Sequence, residues 1–158
     1  EVNIMKDGSL DINDNVLAKL DVVGAAVHSN FNMPKKVMTE RIIRAMRNPN
    51  VDIIFHPTGR IINKRPGYEI DIEAIIKAAL ETGTILEIDA FPTRLDFNDY
   101  YIRKCVEAGV KMAIDSDAHH ISHLRYLDLG IAQARRGWAK KSDIINTLPI
   151  KEFLKELK

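Results

Sequence analysis

The most chemically suggestive stretch of the sequence follows an apolar run over residues 110–114. Such a run is typical of a buried strand, and Asp115, Asp117, His119 and His120 come directly after it. The Asp117-x-His119 spacing can present a carboxylate oxygen and an imidazole nitrogen to the same metal ion. Taken alone the pair is ambiguous, because Asp117 could cap a helix and His119 could be an exposed loop residue.

Three other predicted strands also end in side chains that could bind a metal or transfer protons. His28 and His56 directly follow two apolar runs, and a third run carries the pair Glu87 and Asp89. The carboxyl ends of parallel strands lie at one rim of a sheet or barrel, where α/β proteins bind their ligands. The sequence therefore predicts that these strand ends and the Asp-x-His turn form one shared site.

The mixture of side chains at these strand ends limits the chemistry. Imidazoles and carboxylates without a thiolate suit Zn²⁺, Mn²⁺ or Fe²⁺, whereas His120 and His123 are predicted not to be ligands. A serine nucleophile is the main alternative, but no Gly-x-Ser-x-Gly segment is present, and His28 and Ser29 are too close in sequence for the usual serine–base geometry. A glycine-rich phosphate loop is also absent. The pattern therefore favours metal-assisted hydrolysis.

Two arginines follow the same strand ends and could bind an anionic substrate. Arg60 lies four residues after the second strand-end histidine, and Arg94 follows the strand that carries Glu87. Arginine binds phosphate oxygens through two parallel hydrogen bonds, so arginines beside a metal site predict a phosphoester substrate. The alternative is that these arginines pair with carboxylates, for which Glu87, Asp89 and Asp96 are the candidates.

The elements that must position these residues alternate between strands and helices. We predict strands over residues 1–4, 21–27, 51–55, 84–89 and 110–114. Helices are predicted to begin near Asn13 or Asp14, Pro34, Asp71, and Asp96 with Asp99, and Gly83 and Gly109 are predicted stops. Short loops and strands that are apolar on both faces indicate parallel strands joined by crossover helices. The predicted fold class is α/β, as one domain over residues 1–158, with either an open doubly wound sheet or a barrel.

The remaining predictions concern packing. Leu80 is predicted to face the core, Trp138 to close the core as a plug, and Cys105, in a helical pattern, to serve packing and not to act as a nucleophile. The chain is predicted to be helical to about Leu129 and to continue as a short apolar piece through Ala134. The arginines predicted to lie mostly on the outer face of the helix near Pro34 are Arg41, Arg44 and Arg47.

Composition excludes several classes of protein. The 158 residues carry a formal net charge of +1 and 46% hydrophobic residues, so no global field draws the chain to nucleic acid or membrane. One cysteine allows no internal disulfide, and no stretch has the length of a bilayer span. Since no signal peptide is seen, we expect a cytoplasmic protein without a membrane partner. The first residue is Glu, so we expect a piece of a longer chain.

Five segments, in this order, resemble the C-terminal part of the PHP (polymerase and histidinol phosphatase) domain of bacterial and archaeal family X DNA polymerases. The segments are Glu1 with residues 7–11, Val-His-Ser-x-Phe at 27–31, His-Pro-Thr-Gly-Arg at 56–60, Ser-Asp-Ala-His at 116–119 and Ala-Arg-Arg-Gly-Trp at 134–138. The resemblance implies most of a distorted (β/α)7 barrel that lacks its first strands. It also implies a metal-dependent phosphodiesterase that acts on DNA 3′ ends, gaps or abasic sites in repair.

The resemblance assigns roles to individual residues. Glu1 matches an acidic ligand that bridges metals, and the other ligand positions are matched by His28, His56, Asp117 and His119. The pair Asp117 and His119 is also the expected catalytic pair, and the residues that match positions near the substrate phosphate are Arg60 and Arg94. The implied cofactors are Mn or Zn ions, up to three in a full domain.

Departures from the family pattern leave activity open. The family's first ligands and its polymerase parts lie before the position of Glu1, so we expect fewer metal ions here, or none. Many relatives have Asn where this chain has Asp89, which adds a charge near the site. Missing early strands would expose strand edges, which we expect to be covered by dimerisation, by the terminal segments or by rearrangement.

Two other functions remain open from the sequence. One is a phosphomonoesterase of the histidinol-phosphate type. The other is an inactive remnant that binds DNA or positions the polymerase domains of the parent chain. The basic residues that could then contact DNA phosphates are Arg41, Arg44, Arg47, Lys64, Arg65, Arg135, Arg136, Lys140 and Lys141.

Overall fold

A computed structural model describes all residues, 1–158, and shows a five-stranded parallel sheet whose strands alternate with helices. The strands are β1 (Val2–Asn3), β2 (Gly24–Ala26), β3 (Ile53–Ile54), β4 (Ile85–Asp89) and β5 (Met112–Asp115). Their order in the sheet is their order in the chain, and every neighbouring pair is parallel. In a doubly wound sheet the strand order reverses at a switch point, and the strand order of this sheet does not reverse. The fold is therefore α/β with the topology of a partial barrel.

The helices end at positions with local sequence signals. They are α1 (Asp14–Leu17), α2 (Lys35–Met46), α3 (Ile72–Thr82), α4 (Asp99–Ala108), α5 (Leu127–Arg136) and α6 (Ile150–Phe153), with 3₁₀ turns at Ile121–Tyr126, Lys141–Asp143 and Ile145–Thr147. The Asp71 side chain accepts a hydrogen bond from the Ala74 amide and caps α3. Gly83 and Gly109 end α3 and α4 with positive φ angles of 70° and 80°. These three predictions are confirmed.

The predicted cap at Asp96 is wrong. Asn98 caps α4 by accepting a hydrogen bond from the Tyr101 amide. Asp96 is fully buried, and its carboxylate accepts hydrogen bonds from the amide and hydroxyl of Thr58 at 2.9 and 2.8 Å. A tertiary contact therefore takes Asp96 away from the helix end, and the neighbouring Asn98 supplies the cap.

Other packing predictions are also corrected. Trp138 is 64% exposed and does not plug the core; its ring lies 3.3 Å from the Arg103 guanidinium carbon. Leu80 is 53% exposed, and α5 extends to Arg136 where an apolar extended piece was expected. Cys105 is buried as predicted.

Arg41 lies inward, contrary to the prediction for its helix face. Its side chain is 2% exposed and donates hydrogen bonds to the carbonyl oxygens of Ile4, Met5 and Ser29. No carboxylate pairs with it, so the charged guanidinium is solvated by these carbonyl oxygens and by the Met33 sulfur at 3.5 Å. Arg41 thereby ties β1 to the loop after β2.

Neighbouring residues of each strand pack on opposite faces of the sheet. Ile54, Leu86 and Met112 belong to the main apolar core, which lies under the helices. Their neighbours Ile53, Ile85 and Ala113 form a smaller apolar cluster on the other face with Ile145. No helix combines the length and apolar character needed to cross a membrane.

Both sheet edges are covered by the chain itself. Beside β1, the Asn3 amide donates to the Asp11 carboxylate at 2.9 Å and the Met5 amide donates to the Ser9 carbonyl at 2.7 Å. Beside β5, the Asn146 side chain hydrogen-bonds the amide and carbonyl of Ile114. These contacts satisfy backbone groups that could otherwise pair with another molecule.

Candidate functional site

Three side chains from neighbouring strands meet at one rim of the sheet. The Glu1 carboxylate oxygen lies 3.3 Å from His28 Nε2 and 3.2 Å from His56 Nε2. The ligand atoms of all three residues lie within 4.8 Å of one another. We call Glu1, His28 and His56 the triad. Its members come from the first three strands, which is why sheet pairing brings them together.

The triad is held by contacts from the strands that carry it. His28 Nδ1 lies 2.5 Å from the Asn3 side-chain oxygen, so Asn3 orients the ring. The His56 ring is almost fully buried, and the backbone amide of His56 donates a hydrogen bond to the Glu87 carboxylate. His56 has a φ of 29° and its buried Nδ1 has no hydrogen-bond partner, which marks a position constrained by its surroundings.

The donor set and spacing of the triad fit one divalent metal ion. Two ligands about 2.0–2.2 Å from one ion are separated by about 3.0–3.5 Å at ordinary coordination angles, close to the observed distances. The hydrogen bond with His56 lowers the pKa of Glu1, and burial lowers the pKa of His28. Both shifts favour the deprotonated forms that bind metal.

Acidic side chains form a wall beside the triad. Alternation along β4 puts Ile85, Glu87 and Asp89 on one face, so that the apolar lower part of this face gives way to carboxylates at the rim. Burial raises the pKa of Glu87 well above its ordinary value, and raises the pKa of Asp89 to about 7. Burial also raises the pKa of Asp115.

A cleft of about 270 Å³ opens between the triad and this wall. Its lining residues include Glu1, His56, Glu87, Asp115 and Asp117. The ionised carboxylates of this cleft would repel an anionic substrate unless cations were also bound. The cleft therefore suits a substrate that binds through metal ions.

The chain is similar to polymerases and phosphatases. The DNA polymerase/3′-5′ exonuclease PolX of Bacillus subtilis (strain 168) is 44% identical over 158 residues, covering 98% of this chain and 28% of the polymerase. A probable phosphatase of Thermoanaerobacter sp. (strain X514) is 36% identical over 170 residues, covering all of this chain and 67% of that protein. The chain belongs to the PHP family. A probable phosphatase of Shewanella oneidensis (strain MR-1) is 31% identical over 159 residues, covering 95% of the chain and 61% of that protein.

No family model matches the PHP chain. Its similarity to the polymerase covers 28% of that protein, whereas its similarity to the phosphatases covers between 48% and 67% of theirs. The α/β topology with its parallel sheet agrees with membership of the PHP family.

Arg94 links the acidic wall of the PHP site to the turn after β5. Its Nε lies 3.4 Å from the Asp89 carboxylate and 3.3 Å from that of Asp117. Arg60 instead donates to the carbonyl oxygens of Arg94 and Leu95. Arg94 thus makes a carboxylate pairing that was considered from the sequence, and Arg60 pairs with backbone. Phosphate binding by either arginine stays a prediction.

The turn after β5 does not join the triad. Asp117 has a φ of 46° and faces Arg94, and His119 Nδ1 lies 2.7 Å from the Asp117 carbonyl oxygen. The His119 side chain is 74% exposed. His120 caps the following 3₁₀ turn and His123 packs against Tyr126. Metal binding by Asp117 and His119 therefore stays a prediction.

Two residues that shape the site were not singled out from the sequence. Asn3 shares a face with Glu1 because the two are separated by one residue in β1, and this period was the available signal. Arg41 lies three residues after Met38 and four before Ala45, so the helical period of α2 places it on the buried face, and this period was the available signal.

Proposed function

We propose that this chain carries part of a metal-dependent phosphoesterase site that hydrolyses phosphodiesters at DNA 3′ ends, as a 3′→5′ exonuclease or in abasic-site processing. The observation that carries the proposal is the triad of Glu1, His28 and His56 beside an acidic cleft. The name of the Bacillus subtilis relative includes a 3′-5′ exonuclease, which supports DNA as the substrate.

In this proposal the triad holds Mn or Zn, and Asp117 and His119 complete the metal and catalytic groups. A bound divalent ion would supply Lewis acidity to the phosphoryl group and lower the pKa of an attacking water. Arg94 would leave its carboxylate partners to bind a substrate phosphate. We further propose that residues 1–158 form one cytoplasmic domain that works with polymerase domains.

A phosphomonoesterase is the second candidate, and a specific observation favours it. The chain covers a larger share of the relatives named as probable phosphatases than of the polymerase. The cleft of about 270 Å³ is slightly smaller than most small-molecule sites, so it would suit only a small phosphomonoester.

The structure weakens part of the argument for an inactive DNA-binding remnant. Arg41 is buried, and the exposed Arg44 and Arg136 already approach Asp7 and Asp99 at 3.8 and 2.9 Å. The remaining basic residues stay available as DNA contacts. The chain itself covers both sheet edges, so edge covering does not require a second copy. Association of two copies stays a prediction.

The test compares two substrates at fixed metal concentration. A 5′-labelled single-stranded oligonucleotide and histidinol phosphate are each incubated with the chain and Mn²⁺ or Zn²⁺, while bound metal is measured separately. We expect stepwise shortening of the oligonucleotide, which is lost in His28→Ala and kept in His123→Ala. Cleavage of the monoester alone would favour the second candidate. Metal binding without any hydrolysis would contradict both enzymatic proposals.

A further inference from the structure

A second cleft, of about 750 Å³, lies beside the loop that follows His28. Its walls come from the turn after β1, the loop between β2 and α2, and the loop before α3. The lining residues with side chains suited to ligand contact are Lys6, Asn30, Phe31, Asn32 and Arg65. The volume is within the range of sites that hold small organic molecules.

An arginine and an aromatic ring are stacked in this second cleft. The Arg65 guanidinium carbon lies 3.9 Å from the Phe31 ring centroid. Arg65 Nε and Nη2 both donate to the Gly59 carbonyl, at 3.0 and 2.7 Å, which fixes the plane of the guanidinium. Phe31 also lies nearly parallel to the ring of the buried Tyr68, and the two ring centroids are 6.4 Å apart. A planar surface is thus assembled before any ligand binds.

The charge of the second cleft is opposite to that of the triad cleft. Lys6 and Arg65 are cations, and no carboxylate lines the cleft. Lys6 is exposed and makes no ion pair, so its ammonium group is available to an anion. Aromatic and guanidinium planes stack nucleobases, and cations along a groove bind the phosphate backbone.

The second cleft and the triad share the loop that follows β2. Asn30 comes two residues after His28, and the buried Arg41 bonds both Ser29 and Met5, which adjoin the two sides of the cleft. A strand bound there would pass close to the triad. The same loops therefore set the position of both sites.

We propose that this cleft binds a nucleotide of single-stranded DNA next to the one being hydrolysed. Its base stacks on the Phe31–Arg65 surface and its phosphate contacts Lys6, while Asn30 and Asn32 offer amide groups to the base edges. The inference deepens the proposed function and rests on it for the choice of DNA.

The test measures DNA binding without hydrolysis. A fluorescein-labelled 12-nucleotide oligo(dT) is titrated with the metal-free chain in low salt, and anisotropy gives Kd. Phe31→Leu keeps an apolar contact with Tyr68 but removes the aromatic face, and we expect it to raise Kd about tenfold. Lys6→Gln is expected to raise Kd about threefold and to reduce the salt dependence of binding.

Matched controls lie outside the second cleft. Phe153→Leu and Lys19→Gln make the same chemical changes elsewhere and should leave Kd within about twofold of the parent chain. Thermal melting of each variant checks the fold. Unchanged binding by Phe31→Leu, or no binding by the parent chain, overturns the inference. The binding assay uses neither metal nor turnover. DNA binding by this cleft can therefore be judged even if the chain does not hydrolyse DNA.

Discussion

The triad and the Asp117–His119 turn were predicted to act together, yet the structure organises them differently. The His56 ring is 5% exposed and lies 3.2 Å from Glu1, whereas the His119 ring is 74% exposed and hydrogen-bonds within its own turn. Both regions follow strand ends of the same parallel sheet. A position after a strand is therefore insufficient to bring a side chain into a cluster.

The difference lies in what surrounds each region. The triad belongs to three adjacent strands, and Asn3, Arg41 and the Glu87 carboxylate hold its loops. The turn follows β5, and Arg94 is its ion-pair contact with the rest of the rim. The triad is thus preorganised for a metal, and the turn depends on one arginine for its position.

The largest expected effect tests whether metal affinity resides in the triad. His56→Asn should weaken Zn²⁺ binding about 100- to 1000-fold, since four ligands of a structural zinc site together contribute about 10–16 kcal/mol. Asparagine is chosen because it tolerates the positive φ of His56. His119→Ala should change the affinity for the first ion, which binds at the triad, by less than about threefold. Competition with a chelating dye measures both, and equal losses in the two variants would contradict the contrast.

Local signals were sufficient for much of the fold. The cap at Asp71 and the stops at Gly83 and Gly109 each depend on one residue's own geometry, so they could be predicted from sequence. Meeting of His28 and His56 could be anticipated because parallel strands share one rim. The sequence pattern did not show the tertiary contacts, between residues far apart in the chain, that decide where a side chain lies.

Tertiary contacts account for the errors. Asp96 had the spacing of a cap, but Thr58 binds its carboxylate in the interior. Arg41 was assigned to the outer face because arginine is rarely buried, and three carbonyl groups from other segments reverse that preference. Trp138 has a core-like side chain, but its ring packs on Arg103 at the surface.

The next effect concerns how the triad is held. Arg41→Met should destabilise the fold by about 2 kcal/mol, because buried carbonyl oxygens lose their donors. It should also weaken metal binding, since the loop carrying His28 loses its tie to β1. The exposed Arg44→Met, on the same helix, should cost less than about 0.5 kcal/mol. Urea unfolding gives the free energies and competition with a chelating dye gives the metal affinity, and an unchanged metal affinity in Arg41→Met would show that Arg41 does not hold the triad.

A smaller effect is expected where the two regions are linked. Arg94→Gln removes the cation beside the buried Asp89 and should cost about 1 kcal/mol at pH 8. The pKa of Asp89 is raised to about 7 from 3.8, so the group is protonated in the fold at pH 5 and the cost should shrink there. Asp89→Asn in the same background should remove the pH dependence. If the cost of Arg94→Gln does not change with pH, Arg94 does not stabilise the fold through Asp89.

The smallest effect separates backbone conformation from charge in the turn. Asp117 has a φ of 46°, which asparagine tolerates better than alanine. Asp117→Asn and Asp117→Ala are compared in an Arg94→Met background, where neither side chain can contact a guanidinium, so the difference between them reports mainly the backbone. We expect Asp117→Ala to be less stable by about 0.5–1 kcal/mol. Thermal melting without metal measures it, and equal stabilities would show that the positive φ at residue 117 adds no measurable strain for alanine.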